Sequence, residues 1–404
     1  MKSYERERSV EESLSIALET IRYYGLEVSD KFFGLPDHPQ TYQCQLLDLK
    51  RQVTFFGLGK GMGLQSKVSA YYEALEHFVL YDYCQRLGND PARYRITEGI
   101  DESLARLPLP CATAKCLTTG HDYHYPIFML DPRYSKRPSN IDKNFYSKLS
   151  WMVSDSGTAS GTTFEEASIH AMNELIERHA YSKFLMDHFL VPTTLDIGDK
   201  TPFLIDNQSL PSEIKNVVTT IETDYADNLR IFNLPNELGV PSFFASFTRQ
   251  PFPLQPRGCG TSLHAPYAME RAVLETLQPL QVSNEHLKAN QKQVIENFYR
   301  FPELQRCAVA DPSSILKRSK MMDANFFSEN ATCADLSVTQ QYEVLKRKLI
   351  TAKYEAYSVE LARLSTGFHC VRYAVPRFEN FYLVQAGKYI LPGQQPYSPE
   401  IACS

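Results

Sequence analysis

Three stretches of the sequence repeat one spacing of polar residues. The residues stand at offsets of zero, four and seven within each stretch: Ser69, Glu73 and Glu76; His170, Glu174 and Glu177; Arg271, Glu275 and Gln278. At about 100° per residue, these offsets place each triplet on one narrow stripe of a helix. Glu166 lies about two helical turns before Glu174 and can join the same face of that helix. The spacing therefore predicts three helices whose polar stripes face one shared cavity.

Such a cavity would bring together the carboxylates of Glu73, Glu76, Glu166, Glu174, Glu177 and Glu275. Carboxylates this close repel one another, and their pKa values shift unless cations neutralise them. Hard oxygen ligands select magnesium, which keeps waters and usually shares its coordination shell with substrate phosphates. We therefore expect a nucleoside triphosphate held through more than one magnesium ion.

Each helix also has a simpler interpretation. A glutamate pair three residues apart is common on a solvated face, Glu166 can be a helix cap, and Arg178 can pair with a nearby acid. The recurrence of one spacing, each time after a run of small residues, favours the shared site. Lys60 stands in GLGKG, and neither this run nor any other part of the chain matches the phosphate-binding pattern GxxxxGK[ST]. ATP would have to be bound in another way.

The elements that position these residues follow a repeated order. In the N-terminal part, Ser9 and Glu12 have capping-box spacing and predict a first helix. A strand at 52–57 and a glycine-rich turn at 57–63 then precede a long helix at 66–87. Two further runs of small residues, at 154–161 and 258–265, each predict a turn before a helix. The first of these two helices is capped by Thr163, and the second covers 269–278. The other predicted elements are strands at 229–234, 241–248 and 368–375 and a helix at 338–352.

The domain organisation follows from what separates these elements. Residues 88–150 are rich in prolines and turn residues, and they predict an irregular connection with one strand at 124–130. No serine- or glycine-rich linker divides the chain, so we expect one catalytic unit over 1–404, with an N-terminal part at 1–87 and the remaining motifs at 151–404. The predicted class is α/β (α+β), with mixed sheets and long helices.

Composition excludes several functional classes. Of 404 residues, 43% are hydrophobic and 22% charged, which is typical of folded chains, and a net charge of −5 argues against a nucleic-acid-binding protein. There is no signal-peptide pattern and no apolar run of the ~18 residues that a membrane helix needs, so we expect a cytoplasmic protein. The nine cysteines are scattered and form no CxxC pair, which suits a reducing compartment. The candidate zinc ligands fit no standard template: Cys111, Cys116, His121 and His124.

These motifs resemble the YcaO superfamily of ATP-dependent enzymes that modify peptide backbones. The matching segments follow the family's order and span nearly the whole chain: GKG at 59–61, SAYYEALEHF at 69–78, and the segments at 154–180, 257–278 and, more weakly, 370–380. The resemblance implies a YcaO-like fold whose long helices line one Mg-ATP site.

The resemblance also implies a role for each residue of the site. The glutamates match magnesium ligands: Glu73, Glu76, Glu166, Glu174, Glu177 and Glu275. The residues assigned to the nucleotide are Arg6, Ser13, Lys60, Ser69, Ser156, Arg178, Arg271 and Gln278. Arg178 and Arg271 would contact phosphates and stabilise the charge of phosphoryl transfer.

The activity implied is ATP-dependent cyclodehydration of Cys, Ser or Thr in a ribosomally made precursor peptide, as in bacteriocin or microcin-like biosynthesis. Thioamide or macrocyclic amidine formation by the same activation is the alternative, and a nucleotide-binding accessory protein is an alternative of another class. The implied partners are a leader-binding (E1-like or RRE-containing) protein, a flavin dehydrogenase in a synthetase complex and a second copy in a homodimer.

Three positions depart from the family pattern. His77 stands where the first motif usually ends in arginine, and Ser156 stands where the second motif commonly has asparagine. The chain ends GQQPYSPEIACS, whereas azoline-forming members often end in PxPxP. The tail weakens the cyclodehydratase assignment more than the ATP assignment.

Overall fold

The structure is a computed structural model that describes residues 4–96, 108–136, 153–190, 200–329 and 336–393. The described helices are α1 Val10–Tyr24, α2 Leu64–Gly88, α3 Pro132–Lys136, α4 Phe164–Leu185, α5 Ser212–Tyr225, α6 Ala265–Glu275, α7 Leu277–Gln281, α8 Glu285–Asn297, α9 Pro302–Val309, α10 Ser313–Leu316, α11 Asn325–Glu329 and α12 Val338–Thr351. The described strands are β1 Glu27–Phe33, β2 Gln40–Asp48, β3 Val53–Gly61, β4 Tyr94–Ile96, β5 Pro108–Cys116, β6 Asp122–Pro126, β7 Thr158–Gly161, β8 Phe203–Ile205, β9 Arg230–Asn233, β10 Ser242–Ser246, β11 Arg257–Thr261, β12 Lys320–Met322, β13 Tyr357–Arg363 and β14 His369–Ala374.

The described strands form three sheets. The first has the order β1-β2-β3 and is antiparallel, with Thr41 opposite Lys60. The second has the order β11-β10-β9-β8-β12, in which β8 and β12 are parallel. The third has the order β4-β5-β13-β14-β7, and β6 pairs with β5. This combination of mixed sheets and long helices confirms the predicted fold class.

The runs of small residues predicted as turns are partly strands. Residues 57–61 belong to β3, 158–161 to β7 and 258–261 to β11, so the prediction of turns was wrong there, whereas Ser156 and Gly157 do form a turn. Gly57 and Gly59 lie in β3 and face α2; a Cβ at Gly59 would stand 1.8 Å from the carbonyl oxygen of Ser66. Gly260 of β11 is equally close to α6, because its Cβ would stand 2.1 Å from the carbonyl oxygen of Ala268. The glycines lack side chains so that each helix can pack directly on its strand.

Local capping signals correctly predicted the starts of α1 and α4. The Ser9 hydroxyl accepts a hydrogen bond from the Glu12 amide, and the Glu12 carboxylate accepts one from the Ser9 amide, so α1 begins with the predicted capping box. The Thr163 hydroxyl accepts from the Glu166 amide at the start of α4. The helix predicted at 338–352 is α12, which begins with a second capping box at Ser337.

The region at 88–150 contains more regular structure than predicted. Three described strands, β4 to β6, lie in it, and β5 extends the sheet that contains β13 and β14. The strand predicted at 124–130 ends at Pro126, and a turn of 3₁₀ helix follows at Ile127–Met129. Residues 97–107 and 137–152 lie outside the described residues.

Helices α2 and α4 lie in the interior. Buried residues of α2 include the consecutive pairs Ala70–Tyr71 and Ala74–Leu75, which point to different faces, and α4 is buried in the same way from Glu166 to Leu185. A helix surrounded by protein has no solvent face on which to place polar residues. The glutamates of these helices therefore face an internal space. None of the described helices combines the length and apolar character needed to cross a bilayer.

Candidate functional site

A cavity of about 1050 Å³ lies where the polar stripes of α2, α4 and α6 meet. His170 lines it, together with all but one of the residues assigned from the sequence: Arg6, Lys60, Ser69, Glu73, Glu76, Ser156, Glu166, Glu174, Glu177, Arg178, Arg271, Glu275 and Gln278. The structure thus brings together residues that are separated by up to 272 positions in the chain. We call this space the main cavity.

Ser13 is the exception. Its side chain is buried inside α1, where the hydroxyl donates to the carbonyl oxygen of Ser9 at 2.8 Å. Its own carbonyl oxygen accepts a hydrogen bond from the Tyr72 hydroxyl at 3.2 Å. Ser13 therefore supports the packing of α1 on α2 and does not line the main cavity.

The glutamates of α2 are held by neutral donors. Glu73 accepts a hydrogen bond from the Leu58 amide at 3.3 Å, and Glu76 accepts from both the amide and the hydroxyl of Ser160, at 2.9 and 2.8 Å. Burial raises the pKa of Glu73 to about 7 and that of Glu76 to about 8. This environment favours a cation that would keep both carboxylates ionised.

On α4, an arginine lies among the carboxylates. Arg178 places Nη1 3.6 Å from Glu177 and Nη2 3.8 Å from Glu174, and its guanidinium lies 5.5 Å from the centre of the Tyr382 ring. Glu174 also accepts from the Gly157 amide at 3.0 Å. Burial raises the pKa of Glu177 although Arg178 opposes that effect. The loose contacts leave the Arg178 guanidinium able to bind an additional anion.

Glu166, at the start of α4, is partnered by a hydroxyl. Its carboxylate accepts a hydrogen bond from Thr162 at 2.6 Å. Burial raises the pKa of Glu166, and the hydrogen bond from Thr162 and the charge of Arg6 oppose that shift. Glu166 therefore both begins the helix and faces the main cavity.

Glu275, at the end of α6, already has a cation. Lys60 donates to Glu275 at 2.5 Å, across the boundary between β3 and α6. Burial would raise the pKa of Glu275, but the charges of Lys60 and Arg178 outweigh it and lower that pKa. Gln278 donates to the Leu58 carbonyl oxygen at 2.6 Å, which further ties α6 and α7 to β3.

The structure adds residues that the spacing argument missed. Glu5 is buried and accepts hydrogen bonds from Asn173 at 3.0 Å and Ser262 at 2.5 Å. Burial raises the pKa of Glu5, and the charge of Arg271 opposes that rise. Asn173 follows His170 by three positions, so helical periodicity could have identified it. Glu5 carries no such signal, since only the path of the N-terminal segment brings it to the main cavity.

Two of the positions that depart from the family pattern, His77 and Ser156, are engaged by protein groups, and the C-terminal tail at 394–404 lies outside the described residues. His77 lines the main cavity and its Nδ1 donates to the Phe56 carbonyl oxygen at 2.7 Å. Burial and the charge of Arg133 lower its pKa, so His77 does not replace the cation of an arginine. The Ser156 hydroxyl lies 2.8 Å from the hydroxyl of Tyr382.

The donor set fits magnesium bound together with phosphates. Among the described residues, no three His, Cys, Asp or Glu side chains converge into a ready-made metal site. Magnesium usually takes only one or two carboxylates and completes its shell with waters and phosphate oxygens. Buried glutamates with raised pKa values line the same cavity as Arg178 and Arg271, and this set of groups meets that requirement.

A comparison with protein families identifies the architecture. The sequence model described as YcaO cyclodehydratase, ATP- and Mg²⁺-binding, matches residues 58–379. The chain belongs to the YcaO family. It is thus an enzyme of the YcaO ATP-dependent cyclodehydratase type, and ATP and Mg²⁺ are the ligands that the family description names. No curated protein matches this chain.

Solved structures share the YcaO fold. The YcaO protein from Methanopyrus kandleri bound with AMPPCP and Mg²⁺ superposes with a TM-score of 0.66 at 16% identity, covering 99% of this chain and 98% of that one. A heterocyclase in complex with substrate and cofactor gives 0.66 at 17% identity, with coverage of 97% and 58%. The E. coli microcin synthetase McbBCD complex with pro-MccB17 bound gives 0.52 at 13% identity, with coverage of 87% and 88%. At sequence identities this low, the structural similarity shows a shared fold only.

Proposed function

We propose that this YcaO enzyme activates a backbone amide of a ribosomally made precursor peptide by O-phosphorylation, and that it converts Cys, Ser or Thr residues to thiazoline or oxazoline. The observation that carries the proposal is the convergence of glutamates from α2, α4 and α6 with Arg178 and Arg271 around one cavity. We further propose that this modification serves bacteriocin or microcin-like biosynthesis in the cytoplasm.

The reaction balances as a dehydration coupled to ATP cleavage. The side-chain oxygen or sulfur of the substrate residue loses its proton and adds to the preceding backbone carbonyl, which gives a hemiorthoamide oxyanion. The oxyanion takes the γ-phosphoryl group and ADP leaves. Loss of phosphate and of the amide proton then forms the C=N bond. The peptide thus loses one water, whose oxygen leaves in inorganic phosphate.

The residues of the main cavity have distinct parts in this proposal. More than one magnesium ion would be held by the carboxylates of Glu73, Glu76, Glu166, Glu174, Glu177 and Glu275. Bound magnesium neutralises charge on the triphosphate. Arg178 and Arg271 stabilise negative charge on the transferred group, as fixed cations do in a site shielded from water. The nucleotide would also contact Arg6, Lys60, Ser69, Ser156 and Gln278.

Mass spectrometry of a precursor incubated with enzyme, Mg-ATP and any partner protein tests the product. Loss of one water supports azoline or amidine formation, and hydrolysis back to the parent mass in acid distinguishes an azoline. Replacement of one oxygen by sulfur would instead indicate a thioamide made by the same activation. An unchanged precursor together with accumulating phosphate would contradict the proposal.

The partners we propose are those that the family resemblance implies. A leader-binding protein (E1-like or RRE-containing) would deliver the precursor, a flavin dehydrogenase would oxidise azolines to azoles, and a homodimer would form within the synthetase complex. The microcin synthetase structure is a complex with pro-MccB17 bound, which supports a peptide substrate and partner proteins in general.

A further inference from the structure

Tyr382 lies beside Arg178 in the wall of the main cavity, and the helical spacing of polar residues does not identify it. Its ring centre lies 5.5 Å from the Arg178 guanidinium, and both residues line the cavity. A cation within about 6 Å of an aromatic ring face is attracted to it, more strongly where water is excluded. The Tyr382 ring therefore contributes to holding the guanidinium in place.

Few other groups orient the Arg178 guanidinium. Its contacts with Glu177 and Glu174 are 3.6 and 3.8 Å long, which exceeds hydrogen-bond distance. Its Nε is buried and has no hydrogen-bond partner among the described residues. The two carboxylates thus attract the charge without fixing its direction, whereas a flat ring face restricts the tilt of a planar guanidinium placed over it.

The Tyr382 ring is itself held at both ends of the residue. Its hydroxyl lies 2.8 Å from the hydroxyls of Ser154 and Ser156. Its backbone amide donates to the Ser182 hydroxyl at 2.9 Å. Ser182 follows Arg178 by one turn of α4, so the same helix carries the arginine and holds the residue that the arginine contacts.

The segment that leads to Tyr382 is also attached to α4. The Glu379 amide donates to Nδ1 of His179 at 2.8 Å, and the His179 ring stacks on Phe378 with the ring centres 4.5 Å apart. Since Nδ1 accepts, the proton is on Nε2, which lies 2.8 Å from Glu237. These contacts set the position of Tyr382 independently of a nucleotide.

We propose that Tyr382 is a positioning residue, which holds the Arg178 guanidinium in the orientation that binds the phosphates of ATP. The contact of Arg178 with phosphate rests on the proposed function. Tyr382 itself acts through Arg178, because its hydroxyl is engaged by two serines and its ring by the guanidinium. Donors that are oriented in advance bind a charge more strongly, since less freedom is lost on binding.

Calorimetric titration of the full-length protein with AMPPCP and Mg²⁺ tests the proposal. Tyr382→Leu removes the ring face and weakens AMPPCP binding by about tenfold, whereas Tyr382→Phe keeps the face and stays within about threefold of the parent. The matched control is Tyr299→Leu. Tyr299 is exposed, its ring centre lies 5.1 Å from the Arg300 guanidinium, and it does not line the main cavity, so AMPPCP affinity is unchanged.

A double-mutant cycle with Arg178→Gln separates positioning from a general structural role. If Tyr382 acts through Arg178, Tyr382→Leu weakens binding no further in the Arg178→Gln background. Additive losses, or equal losses for Tyr382→Leu and Tyr382→Phe, would overturn the proposal. If Tyr382→Leu does not fold, Tyr382→Met replaces it in the cycle, because methionine fills irregular space without a ring face.

The single variants distinguish this proposal from the proposed function. Parent-like AMPPCP affinity of Tyr382→Leu, together with weakened binding by Arg178→Gln, would overturn the positioning role alone. Parent-like affinity of Arg178→Gln would overturn both the positioning role and the assignment of Arg178 to the phosphates.

Discussion

The glutamates of α2 and α6 face the same cavity in opposite electrostatic settings. Glu73 and Glu76 accept hydrogen bonds from neutral donors, and burial raises their pKa values to about 7 and 8. Glu275 is bonded to Lys60, whose charge outweighs burial and lowers the pKa of Glu275. The protein thus neutralises the α6 carboxylate itself, whereas Glu73 and Glu76 form no ion pair among the described residues. In the proposed site, a bound cation would neutralise the α2 pair. Metal ligation should therefore depend most on α2.

The largest effect is expected from Glu76→Gln. The variant keeps an acceptor for Ser160 but loses the negative charge that a magnesium ion requires, so steady-state ADP production should fall by at least about 100-fold. Glu360→Gln, at an exposed position of β13, is the control and should retain parent activity. Turnover of Glu76→Gln within about threefold of the parent would contradict the contrast between α2 and α6.

Glu177→Gln tests the broader assignment of function. If the carboxylates support catalysis, ATP consumption falls by about 100-fold or more, since Glu177 lies buried beside Arg178. A nucleotide-binding accessory protein would show weaker partner binding with ATP turnover at the parent rate. Measuring both quantities on the same preparation separates these two interpretations.

Lys60→Met should have a moderate and pH-dependent effect. Without Lys60, burial dominates at Glu275 and its pKa rises, so turnover should fall about tenfold at neutral pH and recover partly at higher pH. Lys60→Arg keeps the cation and serves as the control. Parallel pH profiles of kcat/KM for the parent and Lys60→Met would show that the Lys60–Glu275 pair does not set the charge of Glu275.

The raised pKa values of Glu73 and Glu76 also predict how stability depends on pH. A carboxyl group whose pKa is higher in the folded state binds more protons there, so the stability of the metal-free protein falls as pH rises from about 5 to 8. Magnesium affinity changes in the opposite direction, because ionised carboxylates bind the metal better. Thermal unfolding with and without Mg²⁺ should therefore show stabilisation by the metal that increases over this range. An equal stabilisation by Mg²⁺ at every pH in this range would contradict the conclusion that burial raises the pKa values of Glu73 and Glu76.

The smallest effect is expected from Ser13→Ala. Ser13 bonds within α1 and does not line the main cavity, so the KM for ATP should change by less than about twofold. Ser69→Ala, which alters a residue that does line the cavity, is the comparison and should raise KM more. A KM increase for Ser13→Ala equal to that of Ser69→Ala would restore the role implied by the family resemblance.

Local chemistry made parts of the fold predictable. The capping box at Ser9 and the cap at Thr163 are encoded within four residues, so sequence spacing was sufficient to locate the starts of α1 and α4. The glycines at 57 and 59 were misinterpreted because glycine is common both in turns and where a helix lies directly on a strand. Sequence spacing does not distinguish those two uses.

The sequence by itself determined which glutamates share a helical face, since the angle between side chains is fixed by helix geometry. It also determined that the chain carries the motifs of the YcaO family. Only the tertiary structure decided which side chains meet: Lys60 neutralises Glu275, Glu5 accepts a hydrogen bond from Asn173, and Ser13 bonds within its own helix. Those contacts depend on how distant segments pack, because the strength of an electrostatic interaction is set by distance and burial and not by order in the chain.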